Sequence, residues 1–186
     1  SVGNVGGKYS QGGYLIFFVE DNPNQLAGHM LLLSFRSAKS KRVANSSMAA
    51  ETLACAAGIE EATFLQTWLY ELQHPSSTAR ELLAVTPAEL IPVESVTDCN
   101  DLYAVLTKPG APNISNRSLI LHVAMLRHER ESGRVRAWCW CDTKEMLANA
   151  LTKCACYGTL PLEDLHRVLV EGYWEPKLTY FYEGQE

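Results

Sequence analysis

Hydrophobic residues fall into short unbroken runs early in the chain and into helical stripes after residue 46. Residues 14–19 and 29–35 are strand-length runs rich in aliphatic and aromatic side chains. Between them Glu20-Asp21-Asn22-Pro23-Asn24 has strong turn chemistry, so the two runs predict a β-hairpin. Ser46-Ser47 offers an N-cap, and residues 46–74 read as one long helix. Its clearest apolar stripe is Phe64, Leu65, Trp68, Leu69 and Leu72, the spacing of one helical face. Pro75-Ser76-Ser77 closes it, and residues 79–84 and 86–87 offer only short helical turns. A β run at 93–97 ends in Asp98, a short helix covers 100–106, and Lys108-Pro109-Gly110-Ala111-Pro112 breaks it. A second helix spans 115–131 and stops before Gly133. A strand at 134–140, a helix at 144–153, an amphipathic helix at 162–170 and an aromatic tail at 173–182 complete the order. A hairpin followed by strands alternating with helices predicts a mixed α/β sheet.

The 186 residues suit one domain with a core of its own, and 47% hydrophobic with 20% charged residues excludes general disorder. The apolar runs are strand-sized, so no membrane span is expected. The opening Ser1-Val2-Gly3-Asn4 is neither a signal peptide nor an initiator sequence, so the chain reads as processed, trimmed or partly recorded. Residues 1–9, with Gly3, Gly6 and Gly7, read as an irregular lead-in. The net charge of −5 and pI near 5.6 do not suggest a nucleic-acid binder, but the distribution is uneven. Arg36, Lys39, Lys41 and Arg42 form one basic cluster, and Arg117, Arg127, Arg130, Arg134 and Arg136 another. Each cluster suits either phosphate contact or a solvated face. The six cysteines, without a secretory signal, are expected as free thiols of an intracellular, reducing compartment. Cys139/Cys141 and Cys154/Cys156 are each separated by one residue, closer than the pairs of structural zinc sites. On a strand, Cys139 and Cys141 share a face opposite Trp138 and Trp140, a core pattern.

Several segments in order resemble the ribonuclease H domain of a copia-type retrotransposon polyprotein, part of the reverse transcriptase/ribonuclease H family. Ser10-Gln11-Gly12-Gly13-Tyr14-Leu15-Ile16-Phe17 is similar to that family's second strand, and Ser34-Phe35-Arg36-Ser37-Ala38-Lys39 to its third. Ser46-Ser47-Met48-Ala49-Ala50-Glu51-Thr52-Leu53-Ala54 resembles the first-helix stretch whose glutamate enters the active site. Thr97-Asp98-Cys99-Asn100 resembles the strand end that supplies a catalytic aspartate. The run from Cys141-Asp142-Thr143-Lys144 to Leu151-Thr152-Lys153 resembles the closing motif. The resemblance covers residues 10–153 and leaves 154–186 as a C-terminal helix and aromatic tail packed on that domain or on a partner.

The resemblance implies a ribonuclease H-like mixed sheet flanked by helices. It also implies two-metal hydrolysis of the RNA strand in RNA–DNA hybrids, in which one Mg²⁺ helps generate hydroxide and the other stabilises the leaving oxygen. Glu51 and Asp98 match two of the family's four carboxylates and would hold Mg²⁺, which takes hard oxygen ligands. Asn149 stands at the fourth position, where the amide keeps an oxygen but loses the charge. Asp142 reads as a cap rather than a substitute, and Asp101 as facing elsewhere. Arg36, Lys39, Lys41 and Arg42 are the candidate hybrid-binding residues.

The family's first strand, central in its sheet and carrying another aspartate, has no counterpart within residues 10–186. The resemblance therefore implies an absent strand beside residues 93–97, with three sources: an upstream segment, another polypeptide, or residues 1–10. Direct pairing of residues 14–19 with 93–97 would contradict this. Two functional readings follow: a hybrid-cutting domain impaired as recorded, and a repurposed non-catalytic fold serving as a scaffold subunit of a larger assembly.

Overall fold

The computed structural model describes residues 2–5, 9–20, 26–40, 46–110, 114, 117–153 and 160–181. It is a mixed α/β fold with two small sheets and five helices among those residues. Strands β1 (Val2–Val5), β2 (Tyr9–Val19) and β3 (Gly28–Lys39) form an antiparallel meander, and β6 (Tyr173–Trp174) closes its outer edge, in the order β1-β2-β3-β6. The second sheet has the order β4-β5-β7, with β4 (Val93–Thr97) parallel to β5 (Val135–Cys141) and β7 (Leu178–Phe181) antiparallel to it. The helices are α1 (Ser47–Gln73), α2 (Ala79–Ala84), α3 (Asn100–Thr107), α4 (Arg117–Glu131) and α5 (Leu160–Glu171).

The hairpin forms as expected but is longer, extending through Lys39. The lead-in is not wholly irregular: Val2–Val5 pairs antiparallel with residues 9–12. The expected helix over 144–153 is instead a turn followed by a 3-10 helix at Leu147–Leu151. Asp142 Oδ1 accepts the Lys144 N–H at 2.9 Å, and Asn149 Nδ2 donates to Thr143 O at 2.6 Å. These local side-chain bonds compete with the i to i+4 pattern and leave only a short helix.

Ser46 caps α1 as its sequence suggests, accepting the Ala49 N–H at 3.1 Å. The buried face of α1 differs from the apolar stripe. Ala49, Ala50, Glu51, Thr52, Ala56, Ile59, Ala62 and Gln66 are buried, whereas Phe64, Trp68 and Leu72 are 64%, 43% and 58% exposed. Small side chains let the helix lie close on β2: a Cβ placed at Gly12 would stand 3.5 Å from Ala54 Cβ, and one at Gly58 3.4 Å from Tyr14 Cβ. Close backbone approach overrides side-chain hydrophobicity here.

The main core lies where Trp138 of β5 meets Ala56 and Ile59 of α1, Leu102 and Leu106 of α3, and Val123 and Leu126 of α4. Met146 and Ala148 pack with Cys141, Leu15, Val96 and Leu178, and Leu147 joins Leu165, Val168, Phe17 and Trp174. The tail therefore packs on its own domain through β6 and β7. Gly133 closes α4 with φ +84°, the left-handed conformation expected of a helix-ending glycine.

Gly13 is the tightest point of this packing. A Cβ there would lie 3.0 Å from Leu151 Cβ, 3.0 Å from Thr152 Cγ2 and 3.1 Å from Arg36 O. Gly13→Ala is expected to destabilise the fold by about 1–3 kcal/mol through overpacking, seen as a lower urea midpoint at an unchanged slope. An unchanged midpoint would show that the 3-10 helix yields freely.

Candidate functional site

Residues 14–19 do not pair with 93–97; an open cleft of about 540 Å³ separates them. Helix α1 covers one side through Ala54, Cys55, Ile59 and Ala62, and Met146, Leu147 and Ala148 line the other. Glu51 lines this cleft together with Thr97.

Glu51 sits in the first turns of α1 and is 9% exposed. Asp98 follows β4 directly, where Thr97 Oγ1 accepts the Cys99 N–H at 3.1 Å and turns the chain into α3. Burial, chiefly, raises the Glu51 pKa; the Asp98 carboxylate raises it further while Lys153 opposes this. Glu51 therefore lines the cleft and lies within electrostatic reach of Asp98, whose neighbour Thr97 also lines it. Asp101 is exposed in the first turn of α3, and Asp142 caps a surface turn, so neither adds a carboxylate there.

Asn149 is 1% exposed, with its side-chain N–H directed at Thr143 O. This is a structural bond that holds the turn before the 3-10 helix, and an aspartate could not make it. Two hard carboxylates alone fall short of a metal site, and no group of three His, Cys, Asp or Glu suited to a metal occurs among the described residues.

Arg36 and Lys39 are exposed on β3. Their strand end lies near the site, since Gly13 pairs with Ser37 and Ser37 Oγ donates to Leu151 O at 2.5 Å. Lys41 and Arg42 lie outside the described residues. The second basic cluster is largely absorbed by the fold: Arg136 pairs with Glu94 at 2.7 Å, Arg134 with Glu129 at 3.4 Å, and Arg127 binds backbone carbonyls. Cys139 and Cys141 are fully buried, and burial pushes the Cys141 thiol up to about 12 and Cys139 higher still. Both are core residues at ordinary pH; Cys154 and Cys156 lie outside the described residues.

Two polar atoms in the cleft carried no signal in the sequence. Glu94 and Gln66 line it, and Glu94 Oε2 and Gln66 Oε1 are buried without hydrogen-bond partners. Their side chains are ordinary polar residues in a strand and a helix, and only the packing reveals their position.

The raised Glu51 pKa has a stability consequence. An acid whose folded pKa lies above its unfolded value favours the fold most at low pH. That contribution declines as pH rises from the ordinary glutamate value through the raised one. Glu51→Gln is expected to match the parent's melting temperature near pH 4 and exceed it at pH 7. An equal difference at both pH values would remove the titration of Glu51 as its cause.

Together the fold and these residues define a mixed α/β domain with a buried carboxylate, Glu51, lining an interstrand cleft. Comparison with protein families, with curated proteins and with solved structures finds no match. No helix among the described residues is long and apolar enough to cross a membrane.

Proposed function

We propose that this chain is the larger part of a retroelement-derived ribonuclease H-like domain that acts on the RNA strand of RNA–DNA hybrids and is impaired without a further strand. The observation that carries this reading is that Glu51, from the first long helix, lines the cleft and lies within electrostatic reach of Asp98, which follows β4. These are the two carboxylates that the motif resemblance singles out, and they arrive from different elements. When bound, Mg²⁺ would supply an activated water and leaving-group stabilisation. Glu51 and Asp98 would furnish oxygen ligands from within the chain, and Arg36 and Lys39 would grip hybrid phosphates beside them.

A second reading, a non-catalytic scaffold, is favoured by Asn149. Its buried amide holds a turn where the family pattern has an acid.

The test is hybrid cleavage in Mg²⁺ by the chain extended upstream with a strand carrying Asp near its junction with β1. Cleavage that falls more than about 100-fold in Glu51→Gln supports the enzyme, since even outer-shell changes at metal sites cost 10–100-fold. Absence of cleavage from an extended chain that folds supports the scaffold.

A further inference from the structure

We infer that a shallow pocket at the start of β4 and β5 binds an organic carboxylate monoanion that carries an apolar group, with Arg130 as its counter-ion. The pocket has a volume of about 370 Å³. It is lined by Pro87, Leu90 and Pro92 on the approach to β4, by Arg130 and Gly133 at and just after the end of α4, and by Arg136 of β5. Strand β4 runs parallel to β5 from Val93 and Val135 onward, so these residues gather at the N-terminal ends of both strands. Asp98 follows the opposite end of β4, about 16 Å of strand away. The pocket is therefore separate from Glu51 and Asp98, although Pro92 and Arg136 also line the cleft.

Arg130 differs from its neighbours in the second basic cluster. Arg127 binds backbone carbonyls, Arg134 pairs with Glu129 and Arg136 with Glu94. The Arg130 Nε–H, in contrast, is buried and has no hydrogen-bond partner among the described residues. A buried donor calls for an acceptor, because its lost hydration otherwise goes uncompensated. Its place in the last turn of α4 suits a cation, but that leaves Nε without an acceptor all the same. The acid of the adjoining 3-10 turn Pro87–Glu89 is committed elsewhere: Glu89 Oε2 accepts the Thr86 N–H at 2.9 Å and the Thr86 hydroxyl at 2.6 Å.

Charge balance and shape select the ligand. Glu94 matches the charge of Arg136, so the surplus at the pocket is the single charge of Arg130. One surplus charge suits a carboxylate monoanion better than a phosphate dianion. The Nε–H and the adjoining Nη–H form one edge of a guanidinium, and that edge pairs side-on with both oxygens of a carboxylate. Pro87, Leu90 and Pro92 add an apolar wall stiffened by two rings of fixed φ, so an apolar group beside the carboxylate is favoured. Gly133 keeps the space open, since a Cβ there would stand 3.9 Å from Pro87 Cβ and bridge two walls. A neutral apolar ligand would fill the pocket but leave the Arg130 donor unpaired.

This inference does not depend on hydrolysis. The test is an NMR titration of the 186-residue chain at pH 7 with N-acetyl-L-leucine, read at the Arg130 Nε–H and the Gly133 amide. N-acetyl-L-leucinamide, which lacks the charge, and inorganic phosphate serve as controls. Saturable shifts are expected with N-acetyl-L-leucine, and binding weaker by about 10-fold or more with each control, the factor a charge-assisted bond supplies. Arg130→Lys keeps the charge without the fork and is expected to weaken binding by about 10-fold, read at Gly133. Absence of a saturable shift in the folded parent, equal binding of the amide, or equal or tighter binding of phosphate overturns the proposal. So does undiminished binding by folded Arg130→Lys, and the parent titrations decide the matter where that variant does not fold. A short peptide ending in leucine that binds more tightly than N-acetyl-L-leucine supports the site with a chain terminus as the source. Equal or weaker binding of the peptide supports it with a free acid as the source.

Discussion

Trp138→Ala is expected to lower stability by about 3–5 kcal/mol, the range for removing a large aromatic from a packed core. Trp138 is 1% exposed and, from its place on β5, belongs to a buried cluster that includes side chains of three helices, so its loss opens a cavity that no single element can close. That is a large share of a typical domain's total stability, about 5–15 kcal/mol, and the variant should melt well below the parent. Its indole N–H has no hydrogen-bond partner. Trp138→Phe removes that orphan donor along with some volume, and is therefore expected to cost much less than Trp138→Ala. Phe64→Ala serves as the contrast, since Phe64 is 64% exposed and should change stability little. Chemical denaturation of the three variants checks the order; equal losses for Trp138→Ala and Trp138→Phe would point to the indole N–H rather than the volume.

Arg127→Ala is expected to cost about 2–3 kcal/mol, because charge-assisted hydrogen bonds are stronger than neutral ones and their acceptors lose a partner together. The Arg127 guanidinium donates to Val105 O through Nε at 3.0 Å, to Lys108 O at 2.9 Å and to Gly110 O at 2.5 Å. It thus closes the C-terminal end of α3, where carbonyls lack intrahelical donors and a cation is favoured. Arg127→Lys keeps the charge but not the planar fork, so it should recover only part of the loss. Full recovery by Lys would show that charge at the helix end, rather than the set of directed bonds, is what matters.

Elements with strong local chemistry were legible in the sequence. Ser46 announces α1, Gly133 ends α4, and the turn-forming residues after Val19 separate β2 from β3. Failures arose where tertiary packing outweighed local pattern. The stripe of Phe64, Trp68 and Leu72 is the more hydrophobic face of α1, but the Ala and Gly face reaches closer to the sheet and is the one buried. The expected helix over 144–153 contracts because Asp142 and Asn149 bond nearby backbone instead. The aromatic tail did not disclose its partners, since strand pairing with β3 and β5 depends on residues more than thirty positions away. Of the candidate site, Glu51 and Asp98 were legible as motif residues, and Glu51 lies within electrostatic reach of Asp98. Glu94 and Gln66 were not, because their unpartnered oxygens exist only once the cleft has formed.

Glu51 lines the cleft at the end nearest β1, where Gly12 packs on Ala54 one turn beyond it. On the proposed function, an Asp on a strand added upstream of β1 would join Glu51 and Asp98 as a third carboxylate. The most direct measurement is Mg²⁺-dependent cleavage of the RNA strand in an RNA–DNA hybrid, comparing the 186-residue chain with the strand-extended chain bearing that Asp. The account predicts negligible cleavage by the first, cleavage by the second, and its loss in Glu51→Gln. Cleavage that survives Glu51→Gln, or none from an extended chain whose β2 and β4 amides are protected, would contradict it.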